Sequence, residues 1–416
     1  EKLSCPFIAN ISGDRRALLI EVGKHRLLVR EKQWSEWVEI AFQNLPSPEL
    51  VHATVRFYVK ELSPHFRLYA SPLNISPLHP ALPISSPAGL AADAARAVGL
   101  YYTQGLAPDS SARILDVLDD EEYRAQTDLV WEEERRLFDY AWSRFDGGFL
   151  FFYFALSDLN AHMFWRALDP EHPLYTPQLG RRHGDVIPTT YRRLDGIVER
   201  VLDSISSATL IILSDHGFCL LNGAFDVSQW LEHQGLLTLK PTAPRGEGAT
   251  LKDVDWTRTA AYQIGYNAIY INRKGREGRG IVPQADVERL RRRIQTELQA
   301  VVNPADGRRP ISRVVTPQEV YEGPYVKDAP DLIIGYNRGY RTHMPLGGFG
   351  PAVIFVNKGY WSGDHMFDPA LVPGVLISNR RILSADPGME DLGPTICRLF
   401  GASADGMDGR PVIEPT

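Results

Sequence analysis

Three short acid–histidine clusters stand out in this chain: Asp158 with His162, the adjacent Asp215 and His216, and His365 preceded by Gly363 and Asp364. Carboxylate oxygen and imidazole nitrogen together suit zinc or manganese. Asp158 and His162 are four residues apart, a spacing that puts both on one face of a helix. Asp215 and His216 are neighbours, so they reach one point only from an irregular loop, and Gly217 would ease that turn. Two ions ~3.5–4 Å apart let one activate a nucleophile while the other stabilises the leaving oxygen. Asp158, His162, Asp215, His216 and His365 are the candidate ligands for such a pair. Asp364 is placed behind them as a residue that orients a ligand histidine. Arg166, four residues after His162, could reach a phosphoryl oxygen or lie on the helix surface in a salt bridge to Asp169.

The elements that must position these groups follow from periodicity. Apolar runs at 149–156 and 209–213 read as buried strands that end where Asp158 and Asp215 begin. Residues 120–145 and 186–206 carry apolar stripes at helical spacing before each run, and Gly147-Gly148 closes the first. A third stripe, Val287, Leu290, Ile294, Leu298 and Val301, leaves Arg289 to Arg293 on a solvated face. From residue 86 to 416 helices and strands therefore alternate, the pattern of a doubly wound, mainly parallel α/β sheet, whose ligands collect beyond the carboxyl ends of its strands. Residues 1–85 hold short β-branched runs separated by turns and predict a small N-terminal antiparallel β unit, with Asp14 in a hairpin turn and the Pro-rich stretch 71–87 as an extended connector.

Composition sets bounds. A chain of 416 residues, 44% hydrophobic and 23% charged, can bury a large core in more than one lobe. Its formal net charge of -6 gives no general attraction for duplex nucleic acid or an anionic membrane, so an anionic substrate must be drawn in locally. No apolar run reaches the ~20 residues of a membrane span. The three cysteines, Cys5, Cys219 and Cys397, are scattered and suggest neither a disulfide framework nor a cysteine metal site. The remaining histidines, His25, His52, His65, His79, His172, His183, His233 and His343, lie in polar, Pro-rich or helix-surface contexts and read as structural. Tyr101-Tyr102, Trp34 and Trp37 read as packing, and Gly275 to Gly280 lacks the strand and helix context of a nucleotide-binding loop.

Ser214 to Phe218, Asp158 to Arg166 and Trp361 to His365 resemble the metal motifs of the alkaline phosphatase superfamily, nearest to its bacterial type I phosphodiesterase/nucleotide pyrophosphatase-like branch. The tail, Asp391 to Ile396 with Gly401 and Met407 to Arg410, is similar to the superfamily's closing helix and final turn. The resemblance implies an alkaline phosphatase-like fold, a phosphorylated small-molecule or nucleotide substrate, and two divalent ions, zinc first and manganese as the alternative. One ion would be held by Asp158, His162 and His365, the other by Asp215 and His216. It also implies a Thr or Ser nucleophile and an aspartate at the end of the first strand. No such pair precedes Asp158, so the expectation is a chain lacking that N-terminal segment, inactive by itself. A sulfatase or phosphomutase of the same superfamily, or a non-catalytic metal-binding or interaction subunit, are the alternatives.

Overall fold

The computed structural model describes residues 3–43, 50–105, 107–244, 247–344 and 347–415. Two compact units divide the chain, Glu1–Asn160 and Ala161–Thr416. The division falls inside the continuous helix Leu156–Leu168, which carries both Asp158 and His162.

The first unit begins with antiparallel strands. Phe7–Ile11, Ala17–Val22 and His25–Arg30 pair in order, and Asp14 sits in the first turn, where its carboxylate accepts from the Ser12 hydroxyl and the Arg16 N–H. Val38–Gln43, Leu50–Val55 and Asn74–Ile75 form a second sheet, and Phe57–Glu61 pairs with Arg67–Ala70. Alternation along Val38–Gln43 buries Val38, Ile40 and Phe42 and turns Glu39, Ala41 and Gln43 outward, as a sheet covered on one face requires. Leu18, Ile20, Val29, Val55 and Val59 join the buried side chains of that core. The helix Asp120–Trp142 follows, started by the Asp119/Glu122 capping box.

The second unit contains the helices Pro177–His183, Val186–Ser204, Val227–His233, Gln284–Gln299 and Leu392–Leu399. Cys219–Phe225 runs parallel to Gly339–Thr342 and antiparallel to Ile354–Val356 and Gly363–Asp364. A separate antiparallel sheet orders Ala261–Ile264, Ala268–Ile271, Leu332–Tyr336 and Ile311–Val315. Gln284–Gln299 buries Val287, Ile294 and Leu298 while Arg289, Arg292 and Arg293 pair with acids three or four residues away on the solvated face its spacing predicts; Arg291, 15% exposed at its side chain, turns toward the buried Asp331. No helix among the described residues is long and apolar enough to cross a membrane.

The expected large, doubly wound parallel sheet is not what the structure shows. The described strands form several small, mostly antiparallel sheets. The run 149–155 belongs to no strand; Phe152 and Phe154 pack on Phe138 of the long helix, while Phe149, Phe151 and Tyr153 are 59%, 65% and 59% exposed. Ile211–Leu213 pairs antiparallel with Leu376–Ser378. The physical reason is that an apolar run reports burial, whereas the partner and direction of a strand are set by hydrogen bonds to distant segments.

Candidate metal centre

The helix Leu156–Leu168 is anchored by Leu156, Leu159, Met163, Phe164 and Ala167, all buried, which fixes the opposite positions at a four-residue spacing. His162 is 2% exposed. Its Nδ1 donates to the Gly363 carbonyl at 2.7 Å, so the ring's lone pair is on Nε2. The ring stacks on Trp361 at 3.7 Å between centroids and meets the edge of Phe218 at 4.8 Å.

The loop that delivers His365 is zipped to this helix. Ser362 N–H and its hydroxyl both donate to the His162 carbonyl, and the same hydroxyl accepts from Arg166 N–H. Gly363 is required by close approach: a Cβ there would lie 2.5 Å from the Ala161 carbonyl and 3.0 Å from Trp165. Asp364 is completely buried. Its carboxylate takes the Arg341 guanidinium, Trp361 Nε1–H at 3.0 Å, and the N–H groups of His365 at 2.7 Å and Met366 at 2.9 Å. Burial alone would raise its pKa, but Arg341 and these donors outweigh it and hold the group below the ordinary carboxylate range. Asp364 therefore orders the turn bearing His365, through backbone donors.

The Asp215-His216 loop leaves Ile211–Leu213 and is held from the other side. Ser214 and Val375 exchange two hydrogen bonds, and Gly217 N–H donates to the Val372 carbonyl. A Cβ on Gly217 would sit 2.5 Å from the Pro373 carbonyl, so this glycine serves contact between loops. His216 stacks face to face with His365, centroids 3.6 Å apart and planes 9° from parallel. Asp215 is largely exposed, its carboxylate 3.4 Å from His216 Nε2.

Asp158, His216 and His365 each offer a donor atom, and the three donors lie within 4.8 Å of one another. His162 is outside this set, although its ring centroid is 5.1 Å from that of His365. Burial lowers the pKa of His162 to about 3 against the opposing pull of Asp364 and the Gly363 carbonyl. Burial and the facing His216 also lower that of His365. Both rings are thus neutral at neutral pH, the state in which imidazole ligates a cation. Oxygen and nitrogen donors, with the His365 imidazole held neutral, at a mutual separation this short fit a divalent ion.

Residues 80–363 match the type I phosphodiesterase / nucleotide pyrophosphatase family. The chain belongs to that family. Its members are phosphodiesterase and pyrophosphatase hydrolases, typically metal-dependent. The matched span contains Asp158, His162, Asp215 and His216, and stops one residue before Asp364. No curated protein gives a significant match.

Sequence reasoning missed three parts of this centre. Arg341, Trp361 and Phe218 brace these acid–histidine clusters; the two aromatics lie inside segments the sequence singled out but carry no titratable signature that would give them a role, and Arg341 meets Asp364 only through sheet register. Arg166 is 4% exposed, donates from Nε to the Met163 carbonyl and lies over Tyr360 at 5.0 Å. Those contacts supply packing.

Proposed function

We propose that this chain carries the metal-binding part of a phosphodiesterase or nucleotide pyrophosphatase site. The observation that carries the reading is the convergence of Asp158, His216 and His365. Two divalent ions, zinc favoured over manganese, would be held by Asp158, His162, Asp215, His216 and His365, with Asp158, His216 and His365 the closest-set donors. When bound, such ions polarise a phosphoryl oxygen and lower the pKa of an oxygen nucleophile.

The chain's own residues do the rest. His162 and His365 keep a lone pair available by staying neutral. Arg341 neutralises Asp364, so that the loop beneath His365 tolerates a buried carboxylate. Trp361 and Phe218 cover His162 and keep water from its ring. The reading places the oxygen nucleophile outside these residues, and two neighbouring hydroxyls support it: Ser214 and Ser362 are engaged with the backbone. A phosphorylated small molecule or nucleotide is the substrate class the family match favours over a sulfate ester.

The test is elemental analysis of the purified chain and of His365→Ala after dialysis against zinc, with hydrolysis of bis-p-nitrophenyl phosphate measured in parallel. Zinc bound by the parent and lost from this locus in His365→Ala supports the site; equal zinc in both overturns it. Turnover abolished by His365→Ala would show that the nucleophile is among these residues. Bound zinc without turnover is the result expected here.

A further inference from the structure

A second group of metal-type donors lies in the N-terminal sheet, outside the span matched to the family. Glu39 is on Val38–Gln43, His52 on Leu50–Val55, and His79 lies four residues past Asn74–Ile75. Ala41 stands opposite His52 and Glu39 opposite Thr54 in the antiparallel register, so Glu39 and His52 are diagonal neighbours. Both project from the face turned away from Val38, Ile40 and Phe42. Alternation thus puts an acid and an imidazole together across two strands.

The third donor is aimed at them by a local turn. The Ser76 hydroxyl donates to Glu39 and accepts from the N–H groups of Leu78 and His79, which folds the chain back so that His79 Nδ1 lies 2.9 Å from Glu39 Oε1. The His52 and His79 rings are 4.7 Å apart. His52 Nδ1 is buried, has no hydrogen-bond partner among the described residues, and faces Glu39 Oε2 at 3.8 Å. A buried ring nitrogen left without a partner is costly, and 3.8 Å from Glu39 Oε2 is beyond hydrogen-bond range.

We propose that Glu39, His52 and His79 form a zinc site distinct from the Asp158/His216/His365 centre. The three donor atoms lie within 4.8 Å of one another. Zinc–ligand bonds of about 2.0–2.2 Å in a tetrahedron place donors about 3.3–3.6 Å apart. His79 Nδ1 lies 2.9 Å from Glu39 Oε1 and His52 Nδ1 3.8 Å from Glu39 Oε2, so entry of an ion bound through one carboxylate oxygen requires side-chain shifts. Two imidazoles and a carboxylate make three protein ligands, leaving a fourth position for water. The ion would clip the Pro-rich connector to the second sheet.

The experiment uses the full chain with zinc as the probe. His216→Ala/His365→Ala removes donors from the other centre, and His52→Ala, Glu39→Gln and His79→Gln are added singly to this background and to the parent. His79→Gln keeps a donor for Glu39 and changes an exposed side chain, so the fold is retained, as circular dichroism will verify. Each addition is expected to lower bound zinc by one equivalent at low micromolar free zinc, in both backgrounds. Cobalt substitution in His216→Ala/His365→Ala should give visible absorption of a four- or five-coordinate nitrogen–oxygen site that disappears with His79→Gln. Unchanged zinc content, or a fall only where His216 and His365 are intact, overturns the proposal without bearing on the first centre.

Discussion

Replacing Arg341 by Met removes the charge facing Asp364 while keeping most of the side-chain volume. Asp364 is buried and Arg341 is 19% exposed at the side chain, so the pair is screened little by solvent. Breaking a buried ion pair from one side costs roughly 3–5 kcal/mol, because the remaining charge stays desolvated. Here the carboxylate keeps Trp361 Nε1–H and the N–H groups of His365 and Met366. These donors put the expected cost of Arg341→Met at the lower end, ~3 kcal/mol. Arg341→Met/Asp364→Asn should cost less than the sum of the single changes by at least ~1 kcal/mol, since it leaves no buried charge. Urea unfolding of metal-free protein, followed by tryptophan fluorescence, reads this from midpoints at constant slope. Where unfolding shows more than one transition, the one to compare is the one that Asp364→Asn also moves. A single change within ~0.5 kcal/mol of the parent, with additive behaviour in the pair, would refute the role given to Arg341.

Gly363→Ala should drive the His365 loop off the helix that carries His162, since its Cβ would lie 2.5 Å from a backbone oxygen. We expect a loss of ~2 kcal/mol or more together with weakened zinc binding, read by competition with a chromophoric chelator; retention of both would show that the loop gives way freely. Glu134, which accepts from Ala155 N–H just ahead of the helix Leu156–Leu168, supplies a pH signature. Burial, reinforced by Glu133 and opposed by Ala155 N–H, pushes its pKa from 4.5 up to about 7. The fold therefore prefers the protonated acid, and the stability this contributes is fully present below pH 4.5 and lost as pH rises through about 7. At ~1.4 kcal/mol per unit the loss is at most roughly 3–4 kcal/mol. Glu134→Gln should gain on the parent across that window in urea midpoints, and a constant difference from pH 4 to pH 8 would contradict it.

The parts of this structure that were legible in the sequence are those fixed by local pattern. Asp120–Trp142 announced itself by an apolar stripe and by glycines beyond its end, and Gly147 and Gly148 both take positive φ. That Asp158 and His162 lie on one helix was legible from their spacing; which donors gather around Asp158 was not. Sheet architecture was not, because the runs 149–156 and 209–213 specify burial without specifying a partner. The same limit hid Arg341, 23 residues from Asp364, and the Glu39, His52 and His79 group, whose His79 lies 40 residues from Glu39. His52 and His79 read as ordinary polar positions until strand register and the Ser76 turn brought their acid beside them. The donor set at the principal centre also depends on tertiary detail: the Gly363 carbonyl occupies His162 Nδ1, whereas His216 and His365 stack beside Asp158.

The central claim is that Asp158, His216 and His365 converge on a divalent cation. A crystal of the zinc-soaked chain, with anomalous data collected on both sides of the zinc edge, tests it directly. The account predicts a peak about 2.0–2.2 Å from an oxygen of Asp158 and from one ring nitrogen each of His216 and His365. A well-ordered centre without that peak, or zinc bound only at other residues, would contradict it.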